Sequence, residues 1–147
     1  MKAEQDTPGI AALRRNRMMR HLLDALARNE DIGHYGRLVF AMVARHFVQR
    51  DELVAWLRKD RSIDEGQALS LVDQVERRDY SPPNRGRILA WQKQQSFPLC
   101  PHIDDPDEAN VYRDLEFPPG VYEHIEAYHE QKATADDDAP DARANAS

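Results

Sequence analysis

Residues 96–118, SFPLCPHIDDPDEANVYRDLEFP, hold the one cysteine of this chain together with a histidine and several acids. Cys100 stands two positions before His102. Four carboxylates follow closely: Asp104, Asp105, Asp107 and Glu108. Thiolate and imidazole are preferred zinc ligands, and a thiolate beside a histidine can act as a nucleophile. The stretch could therefore hold a metal ion or a reactive thiol, or it could be a connector of turn and helix-start residues.

The number of ligands and the backbone geometry both argue against chemistry in this stretch. A structural zinc site needs four Cys or His ligands, usually in spaced pairs, whereas C-x-H supplies two. Pro98 and Pro101 restrict the backbone around Cys100, so its spacing to His102 does not ensure that the side chains meet. We therefore predict a buried cysteine, no metal, no cofactor and no catalytic residues. Cys100 and His102 are the residues that a metal site or an enzyme would have to use.

Arginines are concentrated near the start of the chain. Arg14, Arg17, His21 and Arg28 follow one another at steps of three, four and seven residues, which places them on one face of a helix. Arginine matches the geometry of carboxylates and phosphates with paired hydrogen bonds, so this face predicts a binding surface for a protein partner. The alternative is that the face is solvated, or that it pairs with the acidic end of the same chain.

A second basic set lies in NRGRILAWQKQQ, residues 84–95. Its members are Arg85, Arg87, Trp91 and Lys93. Trp91 could stack on a base while the cations hold the phosphates, or it could anchor its helix to the core. Together with Arg14 and Arg17, this set predicts nucleic-acid binding as an alternative function.

The net charge of −6 is unevenly distributed along the chain. Residues 1–50 carry nine Lys or Arg against five Asp or Glu, residues 51–99 carry eight of each, and residues 100–147 carry three against thirteen. Such asymmetry indicates two surfaces for different partners, or one end that screens the other. We therefore expect the acidic region from Asp104 onward to be a second partner surface or an internal competitor for the arginine face.

Helix-start and helix-stop residues recur along the chain and predict an all-α fold. Thr7 and Pro8 would open a first helix that continues without a break to Asn29. The most apolar segment, residues 35–49, would form the central helix, with His46 as a hydrogen-bonded core histidine.

Later helix starts are predicted from capping residues and prolines. The predicted caps are Asp51, the pair Ser62 and Glu65 as a capping box, and Ser81 before Pro82 and Pro83. A short helix is expected through residues 109–115, and a last one from Pro118 or Pro119.

No segment alternates apolar and polar residues at the period of a strand. We predict one all-α domain, a compact bundle of about five to six helices over residues 8–132. A flexible N-terminus of residues 1–7 would precede it, and a disordered acidic tail of residues 133–147 would follow. The apolar residues Val39, Met42 and Phe47 would pack inside the bundle or line a homodimer seam.

The composition predicts a cytoplasmic protein. A single cysteine excludes an internal disulfide framework, which fits a reducing compartment. The longest apolar run, residues 38–44, is far below the ~20 residues that cross a bilayer, and the charged start does not resemble a signal peptide. We expect a non-enzymatic adaptor or regulatory subunit that binds a macromolecular partner. A nucleic-acid accessory module is the alternative, and an enzyme or metal site at Cys100 and His102 comes third.

Overall fold

The structure is a computed structural model that describes residues 6–102, 105 and 108–123. Over these residues the fold is all-α, as the sequence predicts, and they contain no strand. The helices are α1 (Pro8–Leu13), α2 (Arg17–Ala27), α3 (Gly33–Ala44), α4 (Arg50–Leu57), α5 (Glu65–Arg78), α6 (Arg85–Gln92) and α7 (Val111–Asp114).

Residues 119–123 are also helical, at the place where Pro118 or Pro119 is predicted to open a last helix. The predicted acidic tail, residues 133–147, lies outside the described residues, and so do residues 1–5 of the predicted flexible N-terminus. Among the helices described, none is long and apolar enough to cross a bilayer.

The prediction of one continuous first helix is wrong, because the structure divides it into α1 and α2 at Asn16. Thr7 caps α1 as expected. Asn16 adopts an extended backbone, and its Oδ1 caps α2 by accepting the Met19 N–H at 3.0 Å. Asparagine is among the strongest N-capping residues, and the break lets this side chain satisfy a helix-terminal N–H. We call the connection between α1 and α2, residues 14–16, the elbow.

The start of α5 lies two residues later than the predicted capping box. Asp64 and Gln67 form the box: Asp64 Oδ1 accepts the Gln67 N–H at 2.8 Å, and Gln67 Oε1 accepts the Asp64 N–H at 2.9 Å. Ser62 does not cap because its hydroxyl is turned toward Asp60, to which it donates, and its oxygen accepts Arg37 Nη1 at 2.8 Å. Glu65 is therefore the first helical residue and has no capping role.

The predicted caps of α4 and α6 are also wrong. α4 follows Gln49, whose side chain makes no capping hydrogen bond, and Asp51 lies in the first turn. There its charge still favours the positive end of the helix dipole. α6 is capped by Asn84 instead of Ser81, and the Asn84 Oδ1 accepts the Arg87 N–H at 2.9 Å.

The central helix is α3, as the sequence predicts, and it packs against α1, α2, α4, α5 and α6. Its Val39 and Phe40 side chains are fully buried, and Met42 is 2% exposed. Burial of a side chain of this size contributes about 1.5–3 kcal/mol. Val39 and Met42 therefore belong to the core of the single chain, against which Phe47 is partly buried.

Gly9 allows α1 to approach the turn after α3 closely. A Cβ atom at this position would stand 2.1 Å from the Phe47 carbonyl oxygen. Real Cβ atoms do not come so close to a backbone oxygen, so the position requires glycine. This contact holds the N-terminal helix against the centre of the fold.

Asp60 is a fully buried carboxylate that joins the end of α4 to the start of α3. Its Oδ2 accepts the Ile32 N–H and Arg37 Nη1, each at 3.0 Å. Its Oδ1 accepts the Ser62 N–H at 2.7 Å and the Ser62 hydroxyl at 2.6 Å. Burial alone would raise the pKa of Asp60, but the hydrogen bonds from these three residues outweigh it and hold the pKa below its usual value.

Candidate functional site

Cys100 is buried, with 3% of its surface exposed, which confirms the prediction of a buried cysteine. Burial raises the pKa of its thiol to about 12, and the Glu108 carboxylate adds to this increase. His102 Nδ1 lies 3.2 Å from Glu108 Oε2, so the imidazole pairs with that carboxylate. A thiol with such a pKa is protonated at neutral pH, whereas the thiolate is the form that attacks.

The acids near Cys100 make other contacts wherever the structure describes them. Asp105 contacts the Arg17 guanidinium, and Glu108 Oε1 accepts the His102 N–H at 2.8 Å. Asp104 and Asp107 lie outside the described residues. Within the ranges that the structure describes, no group of three or more His, Cys, Asp or Glu residues could hold a metal ion.

Cys100 should therefore resist thiol reagents while the protein is folded. At mildly alkaline pH, reaction of the native protein with a chromogenic disulfide reagent should be at least about tenfold slower than reaction after unfolding in guanidinium. The readout is direct because the chain has one cysteine. Equal rates in the native and unfolded protein would show that the thiol is accessible and reactive, and would restore the third hypothesis.

The four residues of the predicted arginine face all make contacts within the chain. Arg14 donates from Nε to Asp6 at 2.6 Å and from Nη1 to Asp24 at 2.8 Å. His21 Nε2 lies 2.9 Å from the Pro98 carbonyl oxygen, and its ring stacks on Phe97. Arg17 pairs with Asp105, and Arg28 Nε donates to Glu30 at 2.9 Å. Much of this face is therefore occupied by acceptors of the same chain.

Two arginines that the spacing argument passes over are exposed at the elbow. Arg20 Nε donates to the Arg14 carbonyl oxygen at 3.2 Å, which brings the Arg20 guanidinium back to the elbow. Arg15 and Arg20 are both exposed, and over the described part of the chain neither forms an ion pair with a carboxylate. Arg17 follows the elbow directly, and 53% of its side chain is exposed. We call Arg15, Arg17 and Arg20 the elbow surface.

The break at Asn16 explains why helical spacing in the sequence does not identify Arg15 and Arg20 as members of one surface. Steps of three and four residues mark one face of a continuous helix, but α1 and α2 are separate helices with a turn between them. Arg15 lies in that turn, and Arg20 reaches it from α2 by a backbone hydrogen bond. The signal in the sequence is the crowding of arginines on both sides of an asparagine, which is a capping residue.

The second basic set, on and after α6, is built around a partly buried tryptophan. Trp91 stacks on Tyr35 of α3 with 5.3 Å between ring centroids, and the Arg87 guanidinium lies 5.8 Å from the Trp91 centroid. One face of the indole is thus covered by the chain's own aromatic ring, which anchors α6 to α3. Arg85 and Arg87 both have interactions within the chain. Lys93 is exposed at the end of α6.

A cleft of about 640 Å³ lies between α1 and the connection from α3 to α4, and residues 7–9, 45–49, 51 and 52 line it.

His46 borders this cleft, and the prediction that it is a hydrogen-bonded core histidine is wrong. Its Nε2 is buried without a hydrogen-bond partner among the described residues, as is the Nε of Arg45. Burial and the charge of Arg45 lower the pKa of His46 to about 4, so its ring is neutral. The His46 Nε2 and the Arg45 Nε are both closed to solvent, and therefore to a ligand in the cleft.

Comparison with known proteins adds no relative from which a function could be transferred. The chain matches no protein-family model, no curated protein and no solved structure. The chemistry of the elbow surface therefore has to come from its own residues and contacts.

Proposed function

We propose that this protein is a non-enzymatic adaptor or regulatory subunit that binds an acidic segment of a protein partner through the elbow surface. The observation that carries the proposal is the hydrogen bond from Arg20 Nε to the Arg14 carbonyl oxygen. It brings Arg20, from α2, back to the turn that carries Arg15, so that exposed guanidinium groups gather where they can bind carboxylates with paired hydrogen bonds. The proposal places this binding in the cytoplasm, because the one cysteine is a free, buried thiol.

The chain's own contacts favour carboxylates as the anions that the elbow surface binds. Arg17 already binds the Asp105 carboxylate, although the two residues are 88 positions apart. Arg14, directly before the elbow surface, binds two further carboxylates, those of Asp6 and Asp24. An acidic region of a partner would present the same chemical groups to the same cations.

Nucleic-acid binding through Arg14, Arg17, Arg85, Arg87, Trp91 and Lys93 is the alternative, and the geometry favours it less. Arg14 is held by two carboxylates. Trp91 stacks on Tyr35, and the Arg87 guanidinium lies 5.8 Å from its centroid, so a base would have to compete with the chain's own groups for this ring. Oligonucleotides, offered under the same conditions as an acidic peptide, would reveal binding to phosphate.

The expected result is a loss of affinity when the elbow arginines are removed. Binding of a fluorescein-labelled oligo-glutamate peptide, measured by fluorescence anisotropy at low salt, should weaken about tenfold in Arg15→Ala/Arg20→Ala, because two charge-assisted contacts are lost. The matched control is Arg77→Ala/Arg78→Ala, which removes two exposed arginines at the end of α5. This control should weaken binding less than about twofold, through the change in net charge alone.

Three outcomes would contradict the proposal. Equal losses in the two double variants would mean that only net charge matters. Tight binding to single- or double-stranded oligonucleotides, with none to oligo-glutamate, would support the nucleic-acid alternative. No binding to either polyanion at low salt would remove the elbow surface as a docking site.

A further inference from the structure

The acidic segment before and within α7 crosses the elbow and makes several contacts with it. The Glu108 carbonyl oxygen accepts the Met18 N–H at 3.2 Å and the Asn16 Nδ2 at 3.3 Å. Asn16 Nδ2 also donates to Asp114 Oδ2 at 3.0 Å. We call the described residues of this segment, 105 and 108–114, the strap.

Most of the strap's contacts form a fixed anchor. Asn16 is fully buried, and Glu108 is 2% exposed. Pulling these groups apart would leave buried donors and acceptors without partners, which is strongly unfavourable. The strap therefore stays on the elbow while the protein is folded.

The contact between Asp105 and Arg17 is of a different kind, because it faces solvent. The two side chains are 24% and 53% exposed. Exposed ion pairs contribute little to stability, and their partners exchange readily with water and other ions. Asp105 thus occupies one cation of the elbow surface through a contact that other ions can replace.

We propose that Asp105 is an intramolecular competitor that lowers the affinity of the elbow surface for its acidic partner. The inference rests on the proposed function and adds regulation of the same site. The buried anchor keeps the Asp105 carboxylate beside Arg17 at a high effective concentration, so an incoming carboxylate must displace it. A modification or a second ligand that draws Asp105 away from Arg17 would then increase partner binding.

The test compares two variants that each lose one negative charge. Asp105→Asn removes the competing charge while asparagine keeps the shape and the hydrogen-bonding oxygen of the side chain. Asp73→Asn removes an exposed carboxylate that pairs with Arg50 Nη2 at 2.6 Å, on a different pair of helices. With labelled oligo-glutamate at low salt, Asp105→Asn should bind about twofold to fivefold more tightly than the unaltered chain, and Asp73→Asn should change little. Circular dichroism should show that both variants remain helical.

Arg17→Ala provides the second half of the experiment. If Asp105 acts through Arg17, Asp105→Asn should give no gain in the Arg17→Ala background, as a double-mutant cycle measures. A gain that survives there, or an equal gain in Asp73→Asn, would overturn the inference.

The inference and the proposed function can fail separately. If Arg15→Ala/Arg20→Ala abolishes binding but Asp105→Asn leaves affinity unchanged, docking at the elbow stands and the competitor is wrong. If neither the unaltered chain nor Asp105→Asn binds oligo-glutamate, both are wrong.

Discussion

Replacing Asp60 by alanine should lower the free energy of unfolding by about 3–5 kcal/mol, because it leaves buried donors without their acceptor. The carboxylate accepts hydrogen bonds from Ile32, from Ser62 and from Arg37, whose side chain is only 16% exposed. Urea unfolding followed by far-ultraviolet circular dichroism would measure the loss. A change below about 1 kcal/mol would contradict the role given to Asp60.

Asp31 offers a matched control for Asp60, because it contacts the same guanidinium from the exposed side. Its Oδ1 accepts Arg37 Nη1 at 3.1 Å, and 45% of its side chain is exposed. Asp31→Ala should therefore destabilise the protein by about 1 kcal/mol or less. The contrast between the two aspartates separates burial from the mere presence of an ion pair.

The Asp60→Ala substitution should also change how the free energy of unfolding depends on pH. The pKa of Asp60 in the folded protein lies below the unfolded value of about 3.9, so the unfolded state binds more protons in that range. The stabilisation is fully present above the unfolded pKa and is lost as the pH falls through the folded pKa. Unfolding titrations from neutral pH downward should show a shallower acid limb for Asp60→Ala than for the unaltered chain.

Asn16→Ala should destabilise the protein by about 2–4 kcal/mol, because this side chain both caps α2 and holds the strap. It accepts the Met19 N–H at 3.0 Å and donates to Glu108 and Asp114 at 3.3 and 3.0 Å. Thermal or denaturant unfolding would give the size of the loss.

The matched control for Asn16 is Asn84, which caps α6 in the same way but from an exposed position. Asn84→Ala should remove about 1 kcal/mol, the usual contribution of an N-cap. Similar losses at both sites would mean that the strap contacts of Asn16 add nothing to the stability of the fold.

The sequence predicts where the helices of this protein lie more accurately than it predicts the residue at which each helix begins. The density of apolar residues identifies α3 as central, and six consecutive residues of this helix, 39–44, are buried. A cap depends instead on which of several polar neighbours is free to turn back to the helix. Ser62 and Asp64 both fit a cap in the sequence, and Ser62 is excluded because its hydroxyl donates to Asp60 and accepts from Arg37.

The candidate site could be predicted only in part, for a similar reason. The crowding of arginines near Arg17 points to the right region of the chain. Which of them stay available depends on carboxylates far away in sequence, such as Asp105, and on the break at Asn16. The structural role of Asp60 has no signal in the sequence, since no linear pattern marks an aspartate that will be buried between two helices.

The distance along the chain between Asn16 and its strap partners has a consequence for synthesis. Glu108 and Asp114 are 92 and 98 positions later in the sequence, so they leave the ribosome long after α1 and α2. Throughout that interval Arg17 lacks the Asp105 counter-charge. The buried anchor around Asn16 can therefore close only after residues up to Asp114 have been synthesised.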